Sequence, residues 1–234
     1  MKILCTICAR SGSKEVKNKN IIKIKNKMLI DYTIEQANKS NIFNKVVIST
    51  NSEKIKKMSK KKVDLIINRP ASLANDHAAK LPAIRHAFLQ SEKLFGEKFD
   101  FIVDLDVTSP LREIKDIKNA VSKLKNSKNT NLISVNESRR NPYFNMIEKR
   151  KSGISLVKRR KNVFSTRQLS PKTYDLNASI YVWRRSSLLK SNEVIGNMTS
   201  IYVMPFYRSI DIDSKFDLSV VKHILKNKKQ YEKQ

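Results

Sequence analysis

Short apolar runs alternate with amphipathic helical patterns along this chain, and no other feature constrains its fold as tightly. The apolar runs lie at residues 3–8, 46–50, 63–67 and 99–105, and they are typical of strands buried on both faces of a parallel sheet. Helical patterns separate them at residues 28–39, 51–58 and 78–94, and a fourth helical pattern follows at residues 114–124. Because parallel strands are joined by right-handed crossovers, the sequence predicts an α/β fold: a Rossmann-like open, mostly parallel twisted sheet flanked by helices.

The second half of the chain keeps this pattern only in part. Further strands are predicted at residues 132–135, 178–183 and 201–204, followed by a helix at residues 216–225. Between residues 138 and 175 the helical periodicity is lost, and Gly153 separates two short alternating runs, which indicates a β-hairpin. A chain of 234 residues suits one larger domain. We therefore expect a single domain, 1–234, with residues 138–175 as an extension within it.

The loop after the first strand has the composition of a phosphate site. Ser11, Gly12 and Ser13 offer closely spaced backbone N–H groups, and Arg10 and Lys14 supply positive charge beside them. Open α/β sheets bind ligands at this edge. The Walker and dinucleotide motifs are both excluded, since Gly12 is the only glycine before Gly96. An ordinary basic surface loop remains the alternative from these residues alone.

The same stretch resembles the signature of the CMP-sialic acid synthetase family, the cytidylyltransferases that activate nine-carbon acidic sugars. The signature residues present are Ala9, Arg10, Ser13, Lys14, Lys19 and Asn20. Later segments match in the same order: Arg69-Pro70, Thr108-Ser109-Pro110-Leu111-Arg112, Arg167-Gln168 with Pro171, Asn177 with Ile180-Tyr181, and Ser209 to Asp213. The matches extend from Ala9 to about Leu218 and cover nearly the whole chain.

The resemblance implies a role for each matching residue. It assigns nucleotide binding to Ala9, Arg10, Ser13, Lys14, Lys19, Asn20 and Arg69. Among these, Arg10 and Lys19 are expected to be catalytic, with Lys19 meeting the leaving pyrophosphate. For Arg69 the alternative is a strand end at Pro70 and an ion pair with Asp76. The resemblance assigns binding of the acceptor sugar to Asp106, Thr108, Ser109, Arg167 and Gln168.

Five positions depart from the family pattern, and one of them is Val107, which replaces a proline. Lys80 lies where a small hydroxyl residue is common, Ala178 replaces a glycine, and Asp175 replaces a second arginine. Asp106 replaces a glutamine that faces the substrate. An ionised Asp accepts hydrogen bonds but cannot donate them, so Asp106 indicates either an altered acceptor sugar or a metal role.

A carboxylate pair near the C-terminus is the candidate metal site. Residues two apart share a face of an extended chain, so Asp211 and Asp213 can present both carboxylates to one hard cation. Capping of the helix that follows is the alternative, because Asp213-Ser214 comes directly before it. In the frame of the resemblance both are Mg²⁺ ligands, and Asp211 is also catalytic.

The formal net charge of +27 raises nucleic-acid binding as a competing function. The excess Lys and Arg residues are spread along the chain, however, and no aromatic side chains are interleaved with them as in single-strand binders. We therefore expect no specific nucleic-acid partner, although the same charge would attract anionic substrates. A basic RNA-associated protein remains the alternative from another class.

Cys5 and Cys8 have the spacing of redox and zinc sites. Their odd separation in a strand points them to opposite faces, so we expect buried reduced thiols. The sequence has no signal peptide pattern and no apolar run of membrane-spanning length, and we expect a cytoplasmic protein without membrane contact.

Together the resemblance implies transfer of CMP from CTP to the anomeric hydroxyl of a nonulosonic acid of the sialic, legionaminic or pseudaminic type, with release of pyrophosphate. It also implies a homodimer in which the 138–175 extension covers the partner subunit. Within the enzyme class, the alternative is a cytidylyltransferase for the eight-carbon sugar KDO, and Thr108-Ser109-Pro110 favours the nine-carbon branch.

Overall fold

A computed structural model describes residues 1–12, 15–151, 153–159 and 164–231. Its strands are β1 (Ile3–Cys8), β2 (Lys23–Ile24), β3 (Lys27–Met28), β4 (Lys45–Thr50), β5 (Leu65–Asn68), β6 (Phe101–Leu105), β7 (Asn131–Glu137), β8 (Ile147–Arg150), β9 (Gly153–Leu156), β10 (Tyr174–Arg184) and β11 (Thr199–Val203). Its α-helices are α1 (Leu29–Ser40), α2 (Glu53–Ser59), α3 (Lys80–Phe95), α4 (Ile114–Lys125), α5 (Arg185–Lys190), α6 (Lys215–Lys226) and α7 (Lys228–Tyr231).

Seven strands form one sheet in the order β11-β7-β10-β6-β1-β4-β5. The pairs β1–β4, β1–β6, β4–β5 and β7–β11 are parallel, and only β10 is antiparallel to its neighbours β6 and β7. The predicted mostly parallel α/β sheet is confirmed. Because β6 and β7 both run against β10, the carboxyl ends of β1, β4, β6 and β7 meet at one edge, together with the beginning of β10.

Two hydrophobic clusters pack the faces of this sheet. Successive residues of β1 alternate between them: Cys5 and Ile7 belong to the cluster under α1 and α4, and Leu4 belongs to the cluster under α3. Cys8 packs against the second cluster, so the two thiols point to opposite faces as predicted, and both are free. Among the described residues, no helix is both long and apolar enough to cross a membrane.

The region predicted to be hairpin-like contains a hairpin. Strands β8 and β9 pair antiparallel with each other, from Ile147 opposite Leu156 to Arg150 opposite Gly153, as a sheet separate from the main one. Gly153 has φ +115°, a conformation that L side chains rarely adopt.

Strand β10 begins four residues earlier than the predicted start at residue 178. Its pairing with β7 shifts register between Leu176 and Tyr181, and Ala178 lies in this irregularity with φ +52°. The bulge breaks the alternation of buried and exposed residues, so the segment before it does not have a strand pattern.

Replacing Ala178 by glycine should stabilise the fold by up to about 1 kcal/mol. An alanine Cβ in the left-handed region costs about 1–2 kcal/mol, and the greater freedom of glycine in the unfolded chain offsets part of that gain. Urea unfolding measures the change. Ala79→Gly is the matched control, because Ala79 has φ −64° and should gain nothing. Equal effects of the two substitutions would contradict the expectation.

Candidate active site

A cavity of about 560 Å³ opens at the carboxyl edge of β1 and β6. Its charged lining residues include Arg10, Lys19, Asp76, Asp106, Asp211 and Asp213. The loop after β1 and the carboxylate pair near the C-terminus are almost 200 residues apart in sequence, and the structure brings them to one cavity. This placement was expected from the sequence, while the roles of the individual residues stay predictions.

The loop after β1 is held by hydrogen bonds from the neighbouring strand end. Ala9 N–H donates to the Ser49 carbonyl at 3.0 Å, and the Asn51 amide both accepts from Ser11 N–H and donates to Ser11 Oγ at 2.8 Å. Asn20 Nδ2 donates to the Arg10 carbonyl at 2.9 Å. These contacts fix the backbone that precedes Gly12. Ser13 and Lys14, assigned to the nucleotide, lie outside the described residues.

Two cations of the loop, Arg10 and Lys19, each contact a carboxylate across the cavity. Arg10 Nη1 lies 2.7 Å from Asp76 Oδ1, and Lys19 Nζ lies 2.7 Å from Asp213 Oδ1. A short 3₁₀ helix, Lys19–Ile21, presents Lys19 and Asn20 towards this space. Both ion pairs are partly exposed, so their contribution to folding is small, and their cations are available to phosphate oxygens.

Asp211 carries a half-buried carboxylate that lines the cavity. Burial raises the pKa of Asp211 from 3.8 to about 6, and repulsion from Asp106 and Asp213 adds to the shift. Its Oδ1 atom is buried and accepts no hydrogen bond from the described residues. An uncompensated carboxylate oxygen beside a second carboxylate suits a hard divalent cation.

The donor set fits Mg²⁺ only together with a phosphate ligand. Asp211 and Asp213 supply two carboxylates, and the described part of the chain contains no group of three or more His, Cys, Asp or Glu side chains arranged for a metal. Mg²⁺ is commonly held by one or two carboxylates plus substrate phosphates and water. The two residues would therefore hold the ion against the triphosphate.

Helix capping does not require Asp211 or Asp213. Ser214 is the N-cap of α6, and its hydroxyl accepts from Asp217 N–H while the Asp217 side chain accepts from Ser214 N–H. The capping alternative for the carboxylate pair is therefore wrong. Ile212, between the two carboxylates, is buried, and its N–H donates to the Thr108 carbonyl at 3.0 Å.

The pKa of Asp211 predicts a pH-dependent stability of the metal-free protein. Because the pKa of Asp211 in the folded state is above the ordinary 3.8, the folded state is more stable with Asp211 protonated than with Asp211 ionised. This contribution to the free energy of unfolding is lost as the pH rises from about 4 to 6. The loss should be about 2 to 3 kcal/mol. Urea unfolding in EDTA at pH 4 to 7 should show wild type losing stability relative to Asp211→Asn. A constant difference across that range would contradict the prediction.

Asp106 lies at the floor of the cavity in a cluster of charges. Lys80 Nζ donates to Asp106 Oδ2 at 2.6 Å and lies 3.3 Å from Asp104 Oδ2. Thr108 donates to Asp106 Oδ1 from its N–H at 3.0 Å and its hydroxyl at 2.8 Å. Two departures from the family pattern, Lys80 and Asp106, are thus in direct contact.

Arg112 is buried behind this floor and binds three elements together. Its guanidinium donates to the Ser179 carbonyl at 2.6 Å, to Gln36 Oε1 at 3.0 Å and to the Asp106 carbonyl at 3.2 Å. Burial lowers the pKa of Arg112 to about 10, against the opposing influence of nearby carboxylates. It therefore connects α1, the loop after β6 and β10.

Ser109 and Arg69 are both buried. Ser109 Oγ donates to the Asn177 carbonyl at 3.4 Å. Arg69 donates from Nε to Ser49 Oγ at 3.2 Å and from Nη2 to the Ser49 carbonyl at 3.0 Å. Neither lines the cavity as the structure describes it, and their contacts with sugar and nucleotide stay predictions.

Arg167 and Gln168 line a second cleft of about 290 Å³ at the same edge of the sheet. Arg167 Nη2 donates to the Ser138 carbonyl at 2.6 Å, just past the end of β7. Asp175, at the beginning of β10, accepts from Ser138 Oγ at 2.6 Å. The two cavities share no lining residue, so Arg167 and Gln168 lie in a different cleft from Arg10 and Lys19.

Sequence reasoning missed two groups of the cavity region. Asn51, which fixes the loop, directly follows β4, and a polar residue just past a buried strand is the signal that could have indicated it. Asp76 was considered only as a partner of Arg69, whereas it contacts Arg10 and lines the cavity. No local pattern indicates that pairing.

Comparison with known proteins agrees with this geometry. The sequence model of the cytidylyltransferase family matches residues 4–230. The chain is 45% identical to CMP-N,N'-diacetyllegionaminic acid synthase of Campylobacter jejuni, over 96% of this chain and 95% of that one. It is also 45% identical to post-translational flagellin modification protein B of Campylobacter coli, over 97% and 96%. Pseudaminic acid cytidylyltransferase of C. jejuni is 29% identical over 97% of both chains.

Solved structures show the same fold at low identity. CMP:2-keto-3-deoxy-manno-octonic acid synthetase, complexed with CTP, superimposes with a TM-score of 0.69 over 97% of this chain and 100% of that one, at 14% identity. A 4-diphosphocytidyl-2C-methyl-D-erythritol synthase from Anaerococcus prevotii gives 0.63 over 96% and 98%, at 11% identity. The strand order, the cavity and the match along almost the whole sequence lead to one conclusion: this chain belongs to the cytidylyltransferase family.

Proposed function

We propose that this chain transfers CMP from CTP to the anomeric hydroxyl of a nonulosonic acid and releases pyrophosphate. The observation that carries the proposal is the cavity in which Arg10 and Lys19 face Asp211 and Asp213. The 45% identity to a CMP-N,N'-diacetyllegionaminic acid synthase over nearly the full length makes that sugar the leading acceptor. Because CTP is a cytoplasmic nucleotide, we place the reaction in the cytoplasm.

The reaction needs an exposed α-phosphorus and a stabilised leaving group. The hydroxyl oxygen of the sugar attacks the α-phosphorus, the bond to the bridging oxygen of pyrophosphate breaks, and the hydroxyl proton leaves to solvent. Arg10 and Lys19 hold the triphosphate, and Lys19 neutralises charge that develops on pyrophosphate. Asn51 and Asn20 hold the backbone just before Gly12, which orients the approach of the phosphates.

We propose Mg²⁺ as the cofactor, held by Asp211 and Asp213. When bound, the ion supplies positive charge that lowers the cost of deprotonating the attacking hydroxyl. With the ion bound, Asp213 would no longer need its ion pair with Lys19, and Lys19 would be available to the phosphates. The carboxylate pair would thus have two roles: it would bind Mg²⁺, and Asp213 would hold Lys19 when no ion is bound.

Pyrophosphate release tests the proposal. The assay compares CTP with ATP, GTP and UTP, each with N,N'-diacetyllegionaminic, pseudaminic, N-acetylneuraminic and 2-keto-3-deoxy-manno-octonic acids, with and without Mg²⁺. We expect release with CTP, Mg²⁺ and a nine-carbon acid, fastest with the legionaminic acid. If none of the sugars supports pyrophosphate release, the enzymatic proposal is wrong. If only the eight-carbon acid supports it, the KDO type is favoured. Steeply salt-dependent RNA binding without turnover would favour the nucleic-acid alternative.

We propose further that the chain forms a homodimer through the β8–β9 hairpin. Ile147 and Ile154 are 63% and 68% exposed, and the register places them on the same face of the hairpin. Leu169 and Leu176 add exposed apolar surface in the same segment of the chain. Such a surface is typical of an interaction site.

A charge on the hairpin face should dissociate the dimer. We expect Ile147→Asp together with Ile154→Asp to convert a dimer into a monomer at micromolar concentration, because burying two unpaired carboxylates is unfavourable. Light scattering coupled to gel filtration measures the mass. Leu94→Asp is the matched control, since Leu94 is 59% exposed on α3, away from the hairpin. A monomeric wild type, or a double variant that remains dimeric, would contradict this proposal.

A further inference from the structure

Lys80 occupies a position that helix stability does not explain. It is the first residue of α3, and the first turn of that helix contains no acidic residue. The partial positive charge at a helix N-terminus opposes a cation there, so a lysine is unfavourable for the helix itself. Its ammonium turns instead towards the carboxyl end of β6.

The Lys80 ammonium is surrounded by protein groups. Nζ donates to Asp106 Oδ2 at 2.6 Å and to the Ala178 carbonyl at 3.3 Å, and Asp104 Oδ2 lies at 3.3 Å. The ring of Tyr181 lies under the same ammonium, 4.3 Å from Nζ to the centroid. An ammonium has three donors, and two of them are used by Asp106 and the Ala178 carbonyl. Asp106 lines the cavity and Lys80 does not, so Lys80 acts on the cavity through Asp106.

Asp106 keeps one acceptor position for the cavity that it lines. A carboxylate offers about four acceptor positions. Thr108 fills two at Oδ1, and Lys80 fills one at Oδ2. No further bond to Asp106 comes from the residues that the structure describes, so one position of Oδ2 remains. The Lys80 charge holds Asp106 ionised, which makes it an acceptor and never a donor.

We propose that Lys80 is a positioning residue that holds Asp106 in place, and that Asp106 selects acceptor sugars presenting a hydroxyl or amide N–H donor to its remaining acceptor position. This inference rests on the proposed function and adds its acceptor specificity. It also separates Asp106 from the metal site, because Lys80 already neutralises it, whereas the buried Oδ1 of Asp211 has no hydrogen-bond partner in the described chain.

Kinetics with sugar analogues test the role of Asp106. The probes are N,N'-diacetyllegionaminic acid and analogues in which each hydroxyl is removed, or each amide N-methylated, in turn. We expect one analogue to lower kcat/KM of wild type by about 10- to 100-fold, the range for a hydrogen bond to a charged group. Asp106→Asn should lose most of that discrimination, with the KM for CTP and the Mg²⁺ dependence unchanged.

A double-mutant cycle tests the role of Lys80. If Lys80 acts through Asp106, Lys80→Met should raise the KM for the sugar, and adding it to Asp106→Asn should produce little further change. Lys115→Met is the matched control, since Lys115 is also in the first turn of a helix but 62% exposed and away from the cavity. Additive effects of Lys80→Met and Asp106→Asn would overturn the positioning role.

The outcomes separate this inference from the proposed function. If no acidic sugar releases pyrophosphate, the proposed function fails. If turnover occurs and Asp106→Asn discriminates among the analogues as wild type does, only this inference fails. If Asp106→Asn instead raises the Mg²⁺ requirement at least tenfold with an unchanged KM for the sugar, Asp106 is a metal ligand and the inference is overturned.

Discussion

Replacing Lys19 by alanine is expected to lower the turnover of CMP transfer at least about a hundredfold. The ammonium of Lys19 lines the cavity and is only 16% exposed, so its charge acts where water screens it poorly. Losing one positioned group that stabilises developing charge costs about 10²- to 10³-fold in turnover. Steady-state pyrophosphate release at saturating CTP and sugar measures the effect.

Lys23→Ala is the matched control for Lys19. It removes the same charge from an exposed residue of β2 that does not line the cavity, and its turnover should stay near wild type. The Lys19–Asp213 ion pair is partly exposed, so unfolding stability should change little in Lys19→Ala. Turnover within a few-fold of wild type in Lys19→Ala would remove Lys19 from the mechanism.

Replacing Arg112 by methionine is expected to destabilise the protein by about 3 to 5 kcal/mol. Methionine approximates the length of the side chain but makes none of its hydrogen bonds to Ser179, Gln36 and Asp106. Hydrogen bonds to a charged donor contribute about 1.5 to 3 kcal/mol each. Urea unfolding monitored by circular dichroism gives the change in the free energy of unfolding.

Two further variants make the Arg112 measurement specific. Arg150→Met makes the same change on the exposed hairpin, where Arg150 pairs only with Glu148, and should change stability by less than about 1 kcal/mol. Arg112→Lys keeps the charge but not the planar fork of donors, so it should fall between wild type and Arg112→Met. A loss below about 1 kcal/mol in Arg112→Met would show that the buried guanidinium does not hold these elements together.

The fold was predictable wherever the hydrophobic periodicity alone determines whether a segment is a strand or a helix. The starts of β1 and β4, and the extents of α1, α3 and α4, lie within about two residues of their predicted positions, because buried strands and amphipathic helices have distinct periodicities. Strand order leaves no such trace, and neither does the reversed direction of β10. Placing antiparallel β10 between β6 and β7 depends on contacts across the sheet, and the Ala178 bulge hides its first residues.

The cavity was predictable from topology, and its internal pairings were not. Parallel strand ends must share an edge, so the loop with Arg10 and the residues after β6 were expected together. The contact of Lys80 with Asp106 spans 26 residues and depends on where α3 begins relative to β6. In the sequence alone, Lys80 and Asp106 are two separate departures from the family pattern with no visible connection. In the structure they form one neutralised pair.

The separation of the second cleft from the larger cavity has a consequence for how such a catalyst can diversify. The loop after β1 lines the larger cavity, whereas Arg167 and Gln168 line the second cleft. Residues of the second cleft can therefore change in evolution without disturbing the loop that we propose for the triphosphate.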